Sequence, residues 1–136
     1  MAKMNRRVKE MLTAQETIVL ATSTSDGVPN VVPIHAKNII DDETILISNQ
    51  FMGKTLANLK ANPRVAITFW DKIEGYQIKG DCTYETSGRL YEETAEFVEA
   101  YGKSVNFPLS SKGILLIKIT GIYNVSPGPH AGKKIA

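Results

Sequence analysis

The sequence predicts a mainly β domain, a small antiparallel barrel with helices at its periphery. Three observations carry that reading: about six runs are β-branched and apolar, three segments have helical spacing, and the first four β runs are joined by short turns or one short helix. Such connections leave no room for the crossover helices of a doubly wound parallel sheet, so the strands return antiparallel and close on one another. At 136 residues the chain is expected to be a single domain over 1–136, large enough for an ordinary core.

Residues 1–15 are read as an N-terminal helix, because Met4, Val8, Met11 and Leu12 share one face while Arg6, Arg7 and Lys9 lie mostly off it. That face suits a helix covering one end of a sheet; contact with a membrane surface is the alternative. Thr17 to Thr24 is a buried strand, and Ser25-Asp26-Gly27 a hairpin turn in which Asp-Gly tolerates positive φ. Val28 to Asn38 returns as the second strand. Its Pro29 and Pro33 cannot donate ladder hydrogen bonds, so each needs an edge, a bulge or a diverging partner, or marks backbone that faces a ligand.

Asp41-Asp42-Glu43 is a solvated turn, and Thr44 to Ser48 the third strand. A short helix starts near Lys54, buries Leu56 and Leu59, and ends at Pro63; Val65 to Asp71 is strand four. After a turn at Glu74-Gly75, strand five runs from Tyr76 to Thr86, with Tyr76, Ile78, Gly80, Cys82 and Tyr84 on a buried face and Gln77, Lys79, Asp81 and Thr83 on a polar one. Gly88 to Gly102 is a helix turning Leu90, Thr94, Phe97, Val98 and Tyr101 to the body, with Gly102 as its C-terminal stop. Asn106 to Leu109 is a loop, Gly113 to Val125 the sixth strand, and 127–136 an extended tail.

The start of the short central helix is the most informative stretch. Between Thr44 and Trp70 there is no Asp or Glu, while Lys54, Lys60 and Arg64 are present. A helix N-terminus carries partial positive charge and unpaired N–H groups, so acids are expected in its first turn. Lys54 and Thr55 stand there instead, and a bound anion such as a phosphate resolves the mismatch. Ser48 and Asn49 add possible hydrogen bonds from the strand end. The bland alternative is a solvated lysine, with Gln50 or Asn49 capping the helix.

Composition removes several functions. A net charge of +2 without a basic, aromatic-laced cluster argues against nucleic acid. No apolar run approaches the ~20 residues that span a bilayer. The N-terminus has no hydrophobic core of a secretory signal, and the lone Cys82 can form no intramolecular disulfide, so a reducing cytoplasm is expected. Two histidines, His35 and His130, are too few for most histidine metal sites, so no metal is expected. Cys82 falls on the face read as buried, which suits core better than nucleophile. What remains is an anion-capable helix start with no evident acid–base pair, the mark of a protein that borrows chemistry from a cofactor.

The segments A-T-S-T-S-D-G-V-P-N-V-V-P-I (Ala21 to Ile34), G-K-T-L-A-N-L-K-A-N-P-R-V-A-I (Gly53 to Ile67) and Y-Q-I-K-G (Tyr76 to Gly80) occur in an order that resembles the pyridoxamine 5'-phosphate oxidase-like, FMN-binding split-barrel proteins, over about residues 16 to 126. The resemblance implies a homodimer of six-stranded antiparallel split barrels with FMN at each end of the interface. It implies that Lys54 and Thr55 bind the phosphate and that Ser48, Asn49, Gln50 and Met52 approach the ribityl chain or ring. Val32, Pro33, Ile34 and His35 would run along the isoalloxazine, with Gln77 and Lys79 as further contacts. The arginine-x-histidine substrate motif of the true oxidases has no counterpart here, which argues against vitamin B6 oxidation. The tail from Pro127 to Lys134 either folds over a flavin, its own or the partner's, or is a disordered terminus. The resulting expectation is an FMN-dependent oxidoreductase: a flavin reductase, an oxidase or an electron carrier on a small molecule or redox protein. The alternatives are a deazaflavin or haem binder of the same fold, and a non-catalytic flavin store or sensor.

Overall fold

A computed structural model describes residues 1–136. In chain order the elements are α1 (Arg6–Ala14), β1 (Ile18–Ser23), β2 (Pro29–Ile34), β3 (Lys37–Asp41), β4 (Thr44–Asn49), α2 (Lys54–Ala61), β5 (Arg64–Asp71), β6 (Glu74–Glu85), α3 (Arg89–Ser104) and β7 (Gly113–Asn124). The strands form one sheet of order β2-β1-β5-β6-β7-β4-β3, every pair antiparallel.

That order explains the barrel. Strands β2 and β3 are the two edges of the sheet, yet only His35 and Ala36 separate them in the chain. The three steps from Ile34 to Lys37 reach only about 10 Å, so the sheet must curl until its edges come close there. The edges are joined covalently and not by a ladder, which leaves a split barrel. The prolines fit this edge. Registry with β1 is unbroken from Ser23↔Pro29 to Ile18↔Ile34, so the ring nitrogens face the unpaired side.

The barrel interior holds Ile18, Leu20, Ile45, Ile47, Ile67, Phe69, Ile78, Leu115, Ile117 and Ile119, all fully buried. Helix α1 closes one end by inserting Met4, Val8, Met11 and Leu12 into the same core, its N-terminus capped by Asn5. Every residue of β4 is buried; the loop after α3 meets it through Ser111 at Ser48, and the Lys118 side chain reaches Thr44. At Gly80 a Cβ would come within 2.6 Å of the Lys118 carbonyl oxygen, so the register shift after Lys79 requires glycine.

Five expectations change. The six predicted strands are seven, because Val28 to Asn38 is two strands belonging to opposite edges. The turn expected at Glu74-Gly75 lies at Lys72-Ile73, where Lys72 takes the left-handed region (φ 55°), and β6 already begins at Glu74. Gly102 does not stop α3, which continues to Ser104. It is buried because a Cβ would lie 2.7 Å from the Phe107 carbonyl oxygen and 2.8 Å from the Leu109 nitrogen of the returning loop. On α3 only Val98 and Gly102 are buried, while Phe97 and Tyr101 are 69% and 52% exposed. Residues 127–136, expected to run extended, turn through Gly128 and Gly132 and come back beside β7. Gly132 N–H donates to the Asn124 carbonyl (2.6 Å) and Ile135 N–H to the Ile122 carbonyl (2.7 Å).

Candidate functional site

A cavity of about 860 Å³ opens along the seam between the two sheet edges. Its volume lies in the range of small-molecule and cofactor sites. One wall is β2 and the link to β3, a second is the β4–α2 loop with the start of α2, and α3 with Leu109 forms a third. The C-terminal end of α1 borders the far side through Gln15 and Glu16.

The start of α2 has the character its sequence predicts. Gly53 occupies the cap position with no side chain hydrogen-bonding into the first turn, and no acid stands in that turn. Lys54 is exposed and takes part in none of the chain's ion pairs. Gln50 does not cap the helix. Asn49 accepts a hydrogen bond from Met52 N–H (2.8 Å), one residue short of the cap, so it shapes the loop and leaves the helix donors open. The unpaired N–H groups of α2, the Lys54 ammonium and the Thr55 hydroxyl thus converge on one side of the cavity.

Two further polar features face this space. The amide oxygen Oε1 of Gln50 is buried without a donor, although Gln50 lines the cavity. A buried acceptor without a partner costs about 1–3 kcal/mol, so a ligand donor would relieve it. Thr55 is itself buried, and its Oγ1 accepts from Asn30 Nδ2 at 3.0 Å. At the opposite end, Lys37 Nζ donates to the Gln15 carbonyl (2.5 Å), and burial lowers its pKa from the usual lysine value.

Of the residues singled out from the sequence, Val32, Pro33, Ile34, His35, Ser48, Gln50, Met52, Lys54 and Thr55 line the cavity together. His35 also meets Thr17, with Nε2 3.4 Å from the threonine hydroxyl. Ser48 donates to Ser111 Oγ (2.8 Å), which ties β4 to the loop before β7. Asn49, Gln77 and Lys79 lie outside the lining within a single chain. Asn49 is spent on the Tyr84 hydroxyl (2.9 Å) and Met52 N–H, and Lys79 rests over the Tyr123 ring. Asn30, Lys37, Phe97 and Tyr101 border the cavity and were not singled out as site residues. Asn30 was detectable, since period-two alternation places it on the face of Val32 and Ile34. For Lys37 no sequence signal exists, because its position follows from the jump between sheet edges.

A family model described as pyridoxamine 5'-phosphate oxidase matches residues 4–126. The chain belongs to the pyridoxamine 5'-phosphate oxidase family. The uncharacterized protein MJ0282 of Methanocaldococcus jannaschii is 44% identical to it over 124 residues, covering 89% of this chain and 80% of that protein. Among solved structures, HupZ of Group A Streptococcus has a TM-score of 0.77 at 24% identity, covering 95% of this chain and 99% of that one. An FMN-binding protein of Syntrophomonas wolfei subsp. wolfei has a TM-score of 0.73 at 22% identity, covering 87% and 82%. The same fold carries other names: HutZ, the haem storage protein of Vibrio cholerae, at TM-score 0.65 and 18% identity (90% and 95%), and an F420 reductase at 0.62 and 20% (84% and 94%). These likenesses show a shared fold with several cofactors among its members. No helix of the chain is long and apolar enough to cross a membrane.

Proposed function

We propose that the chain is an FMN-binding flavoprotein and acts as an oxidoreductase: a flavin reductase, an oxidase or an electron carrier in the cytoplasm. One observation carries the reading: an uncapped helix start, free of acids and bearing Lys54 and Thr55, opens into a cavity of nucleotide size. The residues fit the group. Lys54 and the α2 N–H groups would hold the phosphate, Gln50 Oε1 would take a donor from the ribityl chain or ring, and Val32 to His35 would flank the ring. Bound FMN supplies hydride or electron transfer at its N5. The protein's share is to anchor, orient and shield from water.

The FMN-binding neighbour of this fold supports the cofactor, and the proposal extends to a homodimer with the nucleotide at the interface, as the family resemblance implies. In such a dimer Gln77 and Lys79, outside the cavity of their own chain, would be available to the partner's nucleotide. Exposed Phe51, Phe97, Tyr101 and Phe107 supply apolar surface for that contact.

One feature favours a second reading. His35 places an imidazole on the cavity wall, and imidazole is a haem ligand. The visible spectrum of purified and reconstituted protein separates oxidised flavin from haem. Against FMN, Lys54→Ala is expected to lose ~1.5–3 kcal/mol of binding, the worth of a hydrogen bond to a charged group. Equal affinity in wild type and variant defeats the phosphate assignment.

A further inference from the structure

We infer that Asn30 is a positioning residue for phosphate binding, acting through Thr55; the inference rests on the FMN reading above. The side-chain amide of Asn30 spans two hydroxyls, donating to Thr22 Oγ1 (3.2 Å) and to Thr55 Oγ1 (3.0 Å). Asn58, on the next turn of α2, donates to the same Thr22 oxygen at 3.1 Å. Thr22, Thr55 and Asn58 are each more than nine-tenths buried, so this network is built into the junction of β1, β2 and α2.

Its consequence is directional. A threonine hydroxyl has one proton and accepts through its lone pairs. With Asn30 Nδ2 donating to one lone pair of Thr55 Oγ1, the hydroxyl proton cannot point back along that bond, and Thr55 donates to no atom of the chain. Thr55 lies beside Lys54 on the cavity wall. Asn30 therefore holds a buried donor aimed at the place where the helix N–H groups and the ammonium also converge. An anion there receives the Thr55 proton without reorganisation, which is how preorganised donors gain affinity. Asn30 also braces α2 against β2, so the helix start and the hydroxyl are set by the same contact.

The test titrates the full chain with FMN and with riboflavin, which lacks only the phosphate, following quenching of flavin fluorescence. The ratio of the two dissociation constants reads the phosphate alone, whereas general loosening of the fold weakens both ligands together. Asn30→Ala is expected to cut the preference for FMN roughly three- to tenfold. Made in a Thr55→Val background, the same substitution should change nothing further. An unchanged preference in Asn30→Ala, or an equal loss in both backgrounds, overturns the inference. Asn30→Asp keeps the shape but removes the donating amide; it is measured alongside in case the alanine variant folds poorly, and a retained preference there also overturns it. Wild-type protein that binds FMN no better than riboflavin defeats the FMN reading itself. A wild-type preference that survives both Asn30 substitutions defeats only the role of Asn30.

Discussion

Glu74 ties the N-terminal helix to the barrel. Arg7 Nε donates to its Oε2 (2.7 Å), a second guanidinium nitrogen reaches Oε1, and the Tyr76 hydroxyl donates at 2.6 Å. These donors, Arg7 first, lower the Glu74 carboxyl from 4.5 to about 2. The contribution is therefore complete above the unfolded carboxyl value and is lost as pH falls from about 4.5 toward 2. Melting temperature measured through that window should drop further for wild type than for Glu74→Gln, and parallel curves would refute the linkage. Cys82 behaves oppositely. Burial pushes its thiol up to about 12, so at neutral pH it stays protonated and should resist an aromatic disulfide reagent until denaturant is added. Rapid labelling of the native protein would contradict that placement. Its burial was readable from alternation along strand five, as was the missing acid at Lys54. Alternation places Asn30 on the face of Val32 and Ile34, but nothing along the strand shows the two hydroxyls it meets across the fold.

Helix α3 shows where periodicity stops informing. Leu90, Thr94, Phe97, Val98 and Tyr101 do form a helical stripe, but its buried line runs through Val98 and Gly102, and the two aromatics overhang the cavity at its margin. The reason is the close return of the loop from Phe107 to Leu109, which only a residue without Cβ permits. Gly102→Ala should destabilise the fold by about 1–3 kcal/mol through this clash, read from the urea midpoint at constant slope. A neutral effect would mean that the loop yields freely. The division between β2 and β3 was equally hidden, because the link at His35-Ala36 carries no glycine, proline or turn dipeptide to mark it. Only the sheet order, set by contacts distant in sequence, reveals it.

Across the molecule, hairpins and short connections made the antiparallel class readable, whereas seven strands and an open seam are properties of the assembled sheet. The exposed aromatics around the cavity predict association. Native mass should be near 30 kDa, twice the 14.9 kDa chain. Phe97→Glu should shift it toward the single-chain value and weaken FMN binding with it. A wild-type protein that elutes as a single chain and still holds FMN tightly would sink the interface proposal.

The two-residue link at His35-Ala36 closes the barrel while no ladder bond crosses the gap beside it. The width of that gap is left to the side chains along it and not to strand spacing. A wall set by side chains can be reshaped at a few positions while the strands that carry it stay in place. Diversification then costs surface residues and spares the foundations.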